Sequence, residues 1–130
     1  MAGPGIELIL ARSLAGSLSV PASVVDAKGT IVWFNDPAER LLGRRAEETL
    51  ELDPAEIIEL LDVHDTDGKP LNPNDMPSLL AVKDGLPHLV KLLVNGADGT
   101  QAVRAVALPL ATPEGTVVGA LVTWYREDPS

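Results

Sequence analysis

The side chains best suited to binding a metal ion are two histidines and the acids near the first of them. Asp62, Asp65 and Asp67 surround His64 in the sequence, and His88 follows further along the chain. Imidazole and carboxylate groups are ligands of Zn²⁺ and related ions in proteins. The same acids in a polar stretch rich in turn residues are typical of an exposed loop. We favour the loop, so the sequence predicts no metal site.

The sequence also contains few residues that could act as a catalytic nucleophile or a general acid or base. The chain has no cysteine, which excludes disulfides, thiolate metal sites and a cysteine nucleophile. It has no serine–histidine–acid order and no phosphate-binding glycine loop. Small isomerases can use one buried acid, and Asp26 is an acid within an apolar run. A position in a turn explains the presence of Asp26 better than catalysis does. We therefore expect no catalytic residue and no enzyme activity.

Composition and charge restrict the class of partner. A chain of 130 residues fits one domain, and its hydrophobic content of 45% is ample for a core. The net charge is −9, and the ten Lys and Arg residues are scattered, so we expect no nucleic-acid binding. No apolar run approaches the roughly 20 residues that span a bilayer, and the N-terminus does not resemble a signal peptide. We expect a cytoplasmic protein with no membrane contact.

The N-terminal segment has the apolar spacing of an amphipathic helix. Its apolar residues lie three or four positions apart and so share one face of a helix. Pro21 closes this segment, which we take as residues 1–20. The helix packs on its own domain, or pairs with a second copy, or does both. The apolar face consists of Ile6, Ile9, Leu10, Leu14 and Leu18.

Three helix starts are predicted from capping residues. The tetrapeptide Asp-Pro-Ala-Glu occurs at 36–39 and again at 53–56. An Asp cap, a proline at the first helical position and a glutamate three residues after the cap form a capping box. A third helix is predicted to follow Asn72 and to end at Asp84 and Gly85.

Five runs rich in aliphatic and β-branched residues predict strands. Short turns at Lys28-Gly29, Asp98-Gly99 and Glu114-Gly115 separate them within each group. Two strands, several short helices and then three strands indicate an α+β fold with an antiparallel sheet. The first two strands lie around 24–26 and 30–34, and the last three cover 89–95, 101–110 and 116–125.

The last strand is apolar on both faces, so both faces of the sheet must be covered. The internal helices cover one face. The other requires the N-terminal helix, a second subunit or a neighbouring domain. We expect an interface between copies, and its predicted residues are Ile6, Ile9, Leu10, Leu14, Val118, Val122 and Trp124.

The ordered series of these features resembles a PAS domain. The family opens with a strand, Asp-x-x-Gly, a second strand, an Asn and a helix with Ala, Leu and Gly at fixed spacing. That resemblance implies a five-stranded sheet of order 2-1-5-4-3 with short helices on one face. It implies a PAS domain over residues 21–127, with residues 1–20 as a capping or dimerisation helix. The matching residues are Asp26, Gly29, Asn35, Ala38, Leu42 and Gly43.

The resemblance also implies a sensory or protein-interaction module of a bacterial-type signalling protein. Such a module forms a homodimer and acts on an output domain of a larger protein. The space between the helices and the sheet would hold a small apolar ligand; the alternative is a ligand-free dimerisation module with a filled core. The predicted pocket residues are Leu42, Ile57, Leu61, Met76, Leu80, Leu92, Ala105 and Ala107.

Haem and flavin are remote alternatives, and we expect no cofactor. PAS domains that bind haem use an axial histidine, whereas His88 follows Pro87 at the start of a strand. Flavin light sensors of this superfamily use a cysteine, which this chain lacks. Many PAS domains end in an Asp-Ile-Thr type motif that leads to a downstream helix. In this chain the corresponding residues, 125–128, are Tyr-Arg-Glu-Asp. We therefore expect no output domain in this sequence and a larger role for the N-terminal helix.

Overall fold

A computed structural model describes residues 5–96 and 99–127, in which a five-stranded sheet lies between one helix and a group of shorter helices. The chain begins with α1 (Ile6–Ser17), β1 (Ala22–Asp26) and β2 (Ile31–Phe34). The helical part follows, with α2 (Asp36–Leu42), α3 (Ala46–Thr49), α4 (Pro54–Leu61), a 3₁₀ turn (Pro73–Asp75) and α5 (Pro77–Asp84). The last strands are β3 (His88–Gly96), β4 (Gly99–Ala111) and β5 (Val117–Arg126).

All strand pairs are antiparallel, and the spatial order is β2-β1-β5-β4-β3. This confirms the predicted order and fold class. The first strand is an interior strand, because Val24 lies opposite Trp33 on β2 and opposite Leu121 on β5. Strand β3 forms one edge, where Val94 pairs with Gln101 on β4.

The hairpin turn between β1 and β2 has the geometry that the sequence predicts. The Asp26 carboxylate accepts hydrogen bonds from the backbone N–H groups of Lys28 (2.9 Å) and Thr30 (3.1 Å). Gly29 has a φ of +82°, which a residue with a side chain rarely adopts. Asp26 is therefore a turn residue in this structure. The predicted turn at Asp98-Gly99 lies partly outside the described residues, because Asp98 is not among them.

The two copies of Asp-Pro-Ala-Glu start their helices differently. Asp53 caps α4 with a complete capping box: its carboxylate accepts from Glu56 N–H at 2.9 Å, and Glu56 accepts from Asp53 N–H at 3.1 Å. In α2 the cap is Asn35, one residue earlier than predicted, and Asp36 is the first helical residue. The prediction for Asp36 was wrong because Asn35 already accepts the Ala38 N–H group.

The third predicted helix is divided in two. Asn72 caps only the 3₁₀ turn, and α5 begins separately at Pro77 after Met76. The predicted end is confirmed, since α5 closes at Asp84 and Gly85 has a φ of +70°. The short α3 was not predicted.

Each face of the sheet has its own hydrophobic core. The larger core lies under α2, α4 and α5 and includes Val25, Phe34, Ile57, Leu92, Val103, Ala105 and Val122. The smaller core lies under α1 and consists of Ala11, Ala15, Ala22, Val24 and Leu121, with partly buried neighbours. Both faces of β5 are therefore covered along its middle, from Ala120 to Thr123, as the alternation of its residues requires, whereas Tyr125 near its end is exposed.

Within the part of the chain that the structure describes, every helix is too short or too polar to cross a bilayer.

Candidate functional site

The helix α1 packs on the sheet with its small residues and exposes its large ones. Ala11 and Ala15 are 6% and 0% exposed, and Leu8 and Leu18 are partly buried against the same core. Four other large aliphatic side chains of α1 are more than half exposed. Only Leu18 of the predicted apolar face contributes to packing. The exposed residues are Ile6 (64%), Leu10 (61%), Ile9 (55%) and Leu14 (54%).

Small residues on both partners bring α1 close to the sheet. A side chain at Gly119 of β5 would meet the carbonyl oxygen of Val25 and come within 2.9 Å of a methyl group of Leu8. Glycine at this position therefore makes room for the start of α1. Helix packing distance depends on the side chains at the contact, so alanines give a close approach.

Asn35 ties the other end of α1 to two further elements. Its side-chain oxygen accepts from Ala22 N–H and Ala38 N–H, both at 3.0 Å. Its side-chain amide donates to Ala15 C=O at 3.0 Å and to Val20 C=O at 2.9 Å. The residue is 3% exposed, and all four of its hydrogen-bonding capacities are used. One side chain thus joins α1, β1 and α2.

Apolar grooves flank α1 on both sides. Leu10 and Leu14 lie beside Leu110 and Leu121 of the sheet, and Ile9 lies beside Val32 on the opposite side. Beyond the first groove the sheet remains open, with Leu108 at 42% exposed. One continuous apolar surface therefore runs from α1 to β4, and we call it the α1 surface. Its residues are Ile6, Ile9, Leu10 and Leu14 of α1 and Leu108 and Leu110 of β4.

A charged group bounds the uncovered part of the sheet. Arg104 Nε donates to Glu127 Oε1 at 2.7 Å, and Lys91 Nζ lies 3.6 Å from the same oxygen. The Arg104 hydrogen bond, followed by the charge of Lys91, lowers the pKa of Glu127 below its ordinary value. The group is exposed, so it marks the polar edge of the surface.

The seven residues predicted for an interface fall on two different faces. Ile6, Ile9, Leu10 and Leu14 belong to the α1 surface. Val122 is 4% exposed and Trp124 packs against the helix-side core, so neither lies on that surface. Val118 is half-buried. The period-two alternation of β5 separates its faces but does not indicate which one meets α1.

A small cavity lies in the helix-side core, between α2, α4 and the sheet. Its volume is about 40 Å³, and its lining consists of Leu41, Leu42, Ile57, Leu61, Val63, Met76, Leu92, Val94, Val103 and Trp124. Five of the eight predicted pocket residues are among these: Leu42, Ile57, Leu61, Met76 and Leu92. Ala105 and Ala107 are fully buried in the same core without lining the cavity, and Leu80 is half-buried on α5.

Sequence reasoning did not include Trp124, Val94 and Val103 in the pocket. Val94 and Val103 share a strand face with the predicted residues Leu92 and Ala105, so the alternation of β3 and β4 would have found them. A cavity of about 40 Å³ holds a few water-sized groups, whereas drug-sized ligands occupy roughly 300–1,000 Å³. The core is therefore nearly filled.

The two histidines make local contacts. His64 Nδ1 lies 2.8 Å from the carbonyl oxygen of Asp62, and His88 Nε2 lies 2.7 Å from Asp84 Oδ2. The backbone N–H of Leu86, then His88, lowers the pKa of Asp84 below its ordinary value. Among residues 5–96 and 99–127, no group of three or more His, Asp and Glu side chains is arranged to hold a metal ion.

The comparisons with known proteins agree with this architecture. A family model described as the PAS fold matches residues 11–65. The structure superimposes on a PAS domain from Colwellia psychrerythraea with a TM-score of 0.64 and 17% identity, covering 92% of this chain and 96% of that one. It superimposes on the PAS domain of nitrogen regulation protein NR(II) from Vibrio parahaemolyticus with a TM-score of 0.62 and 13% identity, covering 91% and 98%.

A third similar structure is the dimer of VqmA from Vibrio cholerae. The TM-score is 0.64 and the identity 16%; the match covers 97% of this chain and 54% of the VqmA chain. This chain therefore spans about half of VqmA. A search of curated protein sequences gives no match.

Proposed function

This chain has the PAS fold, and from that premise we propose that it is a sensory and protein-interaction module that dimerises through the α1 surface. A single observation supports the proposal: α1 buries Ala11 and Ala15, and four of its five large aliphatic side chains, all except Leu8, are exposed. A helix that belonged only to its own domain would normally bury its large residues. We assign residues 1–20 to dimerisation and residues 21–127 to the sensory domain.

The proposed occupant of the α1 surface is a second copy of this chain. The whole chain carries a net charge of −9, so most contacts between two copies bring like charges together. The helix α1 contains one acid, Glu7, and one base, Arg12, so it is a neutral region where two copies can meet. The VqmA of similar fold is described as a dimer, which supports the same choice.

The proposed mechanism is a shift between two positions of α1. Asn35 connects the end of α1 to β1 and to α2, and α2 also contributes to the cavity wall. A change at α2 therefore alters the hydrogen bonds that hold α1, and the dimer responds as a population shift. In a larger signalling protein, α1 would pass this change to an output domain.

A second role, binding of a small ligand in the helix-side core, is favoured by the cavity described above. Its lining is apolar, and the half-buried Leu41, Met76 and Trp124 form its margin. VqmA, which has a similar fold, is also described with DPO bound. The alternative is a ligand-free dimerisation module, and the small cavity volume is the observation in its favour.

The test is the stoichiometry and bound mass of the protein. We expect sedimentation to show a dimer in the micromolar range and native mass spectrometry to show any retained small molecule. The double variant Leu10→Gln with Leu14→Gln should weaken dimerisation at least tenfold while the monomer stays folded, because both side chains are already exposed. Leu86→Gln is the matched control, since Leu86 is 59% exposed and lies outside the α1 surface.

A wild-type protein that stays monomeric at several hundred micromolar would remove the dimerisation proposal. A dimer that the double variant and Leu86→Gln weaken equally would move the interface away from α1.

A further inference from the structure

One edge of the sheet has backbone hydrogen-bonding groups without a partner. Leu93 of β3 exchanges two hydrogen bonds of 2.9 Å with His64, which lies beside this edge. In an antiparallel pair, residues two apart direct their N–H and C=O groups to the same side, so Leu89 and Lys91 also face outward. Among the described residues, the N–H and C=O groups of these two have no hydrogen-bond partner. We call residues 89–91 the open edge.

The features that usually protect an edge strand are missing from this one. Edge strands are commonly short, bulged, interrupted by proline or guarded by a lysine at the edge. The strand β3 has nine residues, contains no proline and pairs with β4 without a bulge. Its lysine, Lys91, has the Nζ atom 3.6 Å from Glu127 Oε1. Since Glu127 follows β5, this ammonium group lies over the sheet and not beside the open edge.

The opposite edge of the sheet is built differently. The strand β2 has only four residues, and the segment before α4 covers part of it. Ile31 N–H donates to Leu52 C=O at 3.3 Å, and Ile31 C=O accepts from Glu51 N–H at 2.9 Å. The open edge is therefore a particular feature of β3 and not a general property of this sheet.

The surroundings of the open edge are apolar and negatively charged. Leu89 on the strand and Leu86 just before it are both 59% exposed. At the start of β3, His88 Nε2 lies 2.7 Å from Asp84 Oδ2, and at the other end of the open edge Asp62 lies beside His64. Acids outnumber lysines in the two flanking segments, 62–71 and 83–87. The acids are Asp62, Asp65, Asp67 and Asp84, and the lysines are Lys69 and Lys83.

We propose that the open edge binds an extended, positively charged segment of a partner protein, which adds a strand to the sheet beside β3. The backbone of this segment pairs with the free N–H and C=O groups of Leu89 and Lys91. Its apolar side chains pack on Leu86 and Leu89, and its basic side chains lie near Asp62 and Asp84. Charge complementarity decides the class of partner, because the whole chain also carries a net charge of −9. This role goes beyond dimerisation through α1.

A second copy of this chain fits the open edge less well. Two antiparallel β3 strands that use all four free groups would pair symmetrically around Val90. That register places Pro87 of the second copy opposite Leu93, whose outward groups His64 already occupies. It also brings two negatively charged surroundings together. A separate basic segment meets neither obstacle.

The experiment titrates the protein with a peptide of sequence Lys-Val-Thr-Val-Thr-Lys, blocked at both ends, and follows the backbone amide signals by NMR. We expect saturable shifts centred on Leu89 and Lys91. A version with glutamate in place of both lysines tests the charge, and a version N-methylated at its four central residues tests the backbone pairing. Each should bind at least about tenfold more weakly than the parent peptide.

Variants of the protein locate the site. Leu89→Pro removes an outward N–H group that the β3–β4 ladder does not use, so the protein should stay folded while peptide binding falls at least about tenfold. Leu89→Ala is its control, because it shortens the same side chain but retains the N–H group. The double variant Asp62→Asn with Asp84→Asn should weaken binding about fivefold. Glu47→Gln should leave it unchanged, because α3 contacts β2 at the opposite edge.

Three results would overturn the proposal. In the first, the parent peptide gives no saturable shift, or the N-methylated peptide binds as well as the parent, so no strand is added. In the second, the glutamate peptide binds equally well, so charge does not select the partner. In the third, the signals of Leu89 and Lys91 move with protein concentration in the absence of peptide, so a second copy occupies the edge. The N-methylated peptide keeps the test decisive even if Leu89→Pro does not fold.

Discussion

Asn35 shows how much of this structure depends on a single side chain. It satisfies two backbone N–H groups and two backbone carbonyl groups that belong to four different places in the chain. An asparagine can do this because its amide offers a donor end and an acceptor end. An aspartate retains only the acceptors. The two functions of the residue, capping α2 and holding α1, can therefore be separated.

Replacing Asn35 should affect α1 more than the rest of the domain. We expect Asn35→Asp to retain the cap of α2 and to lose the bonds to Ala15 and Val20, so amides of α1 exchange faster in hydrogen-exchange mass spectrometry. Asn35→Ala loses all four bonds and should lower the free energy of unfolding by about 2–4 kcal/mol. Unchanged α1 protection in Asn35→Asp would contradict this role.

At the scale of elements, helices α2 and α4 show what a repeated motif does and does not determine. Both contain Asp-Pro-Ala-Glu, but only Asp53 is a cap, because Leu52 precedes it and Asn35 precedes Asp36. The residue before the motif decides which side chain reaches the free N–H groups.

The two aspartates should therefore differ in their effect on stability. Asp53→Ala removes a capping box and should cost about 1 kcal/mol in the free energy of unfolding. Asp36→Ala removes only a favourable charge in the first turn of α2 and should cost about 0.3 kcal/mol. Urea unfolding of both variants measures the difference. Equal losses would mean that Asp36, not Asn35, caps α2.

The elements also show where prediction from the sequence ends. Strand positions, the turns at Lys28-Gly29 and Glu114-Gly115, the Asp53 cap of α4 and the end of α5 at Asp84 follow from local residue types, and they were confirmed. The packing direction of α1 was not predictable, because it depends on Gly119, far away in the sequence, leaving room for Leu8. Val122 and Trp124, predicted for the interface, lie in the helix-side core for a similar reason: alternation defines two faces, and only the complete sheet decides which one α1 covers.

At the scale of the whole molecule, two carboxylates make the free energy of unfolding depend on pH in the acid range. The pKa of Glu127 is lowered by Arg104 and Lys91, and that of Asp84 by the Leu86 N–H and His88. A lowered pKa in the folded state means that the stabilisation is present above the ordinary carboxyl pKa. It is lost as the pH falls through the lowered value, since the unfolded chain binds protons first.

Neutral replacements should remove this dependence. We expect the double variant Asp84→Asn with Glu127→Gln to be less stable than the wild type at pH 7, and the difference to shrink as the pH is lowered from 5 towards about 2. Denaturant unfolding across this range measures it. Subtracting the wild-type curve removes the general effect of neutralising an acidic chain. A difference that stays constant with pH would contradict the proposed role of these two carboxylates.

The contacts that hold α1 against the sheet determine how much binding free energy is needed to detach it. Two alanine methyl groups contribute about 0.8 kcal/mol each when buried, far less than two leucines would. A compound present at a hundred times its dissociation constant, and bound by only one arrangement of the protein, supplies about 2.7 kcal/mol. Leu8, Leu18 and the hydrogen bond from Asn35 to Ala15 also hold the helix, so a ligand that acts as proposed above has to outweigh these contacts as well as the two methyl groups.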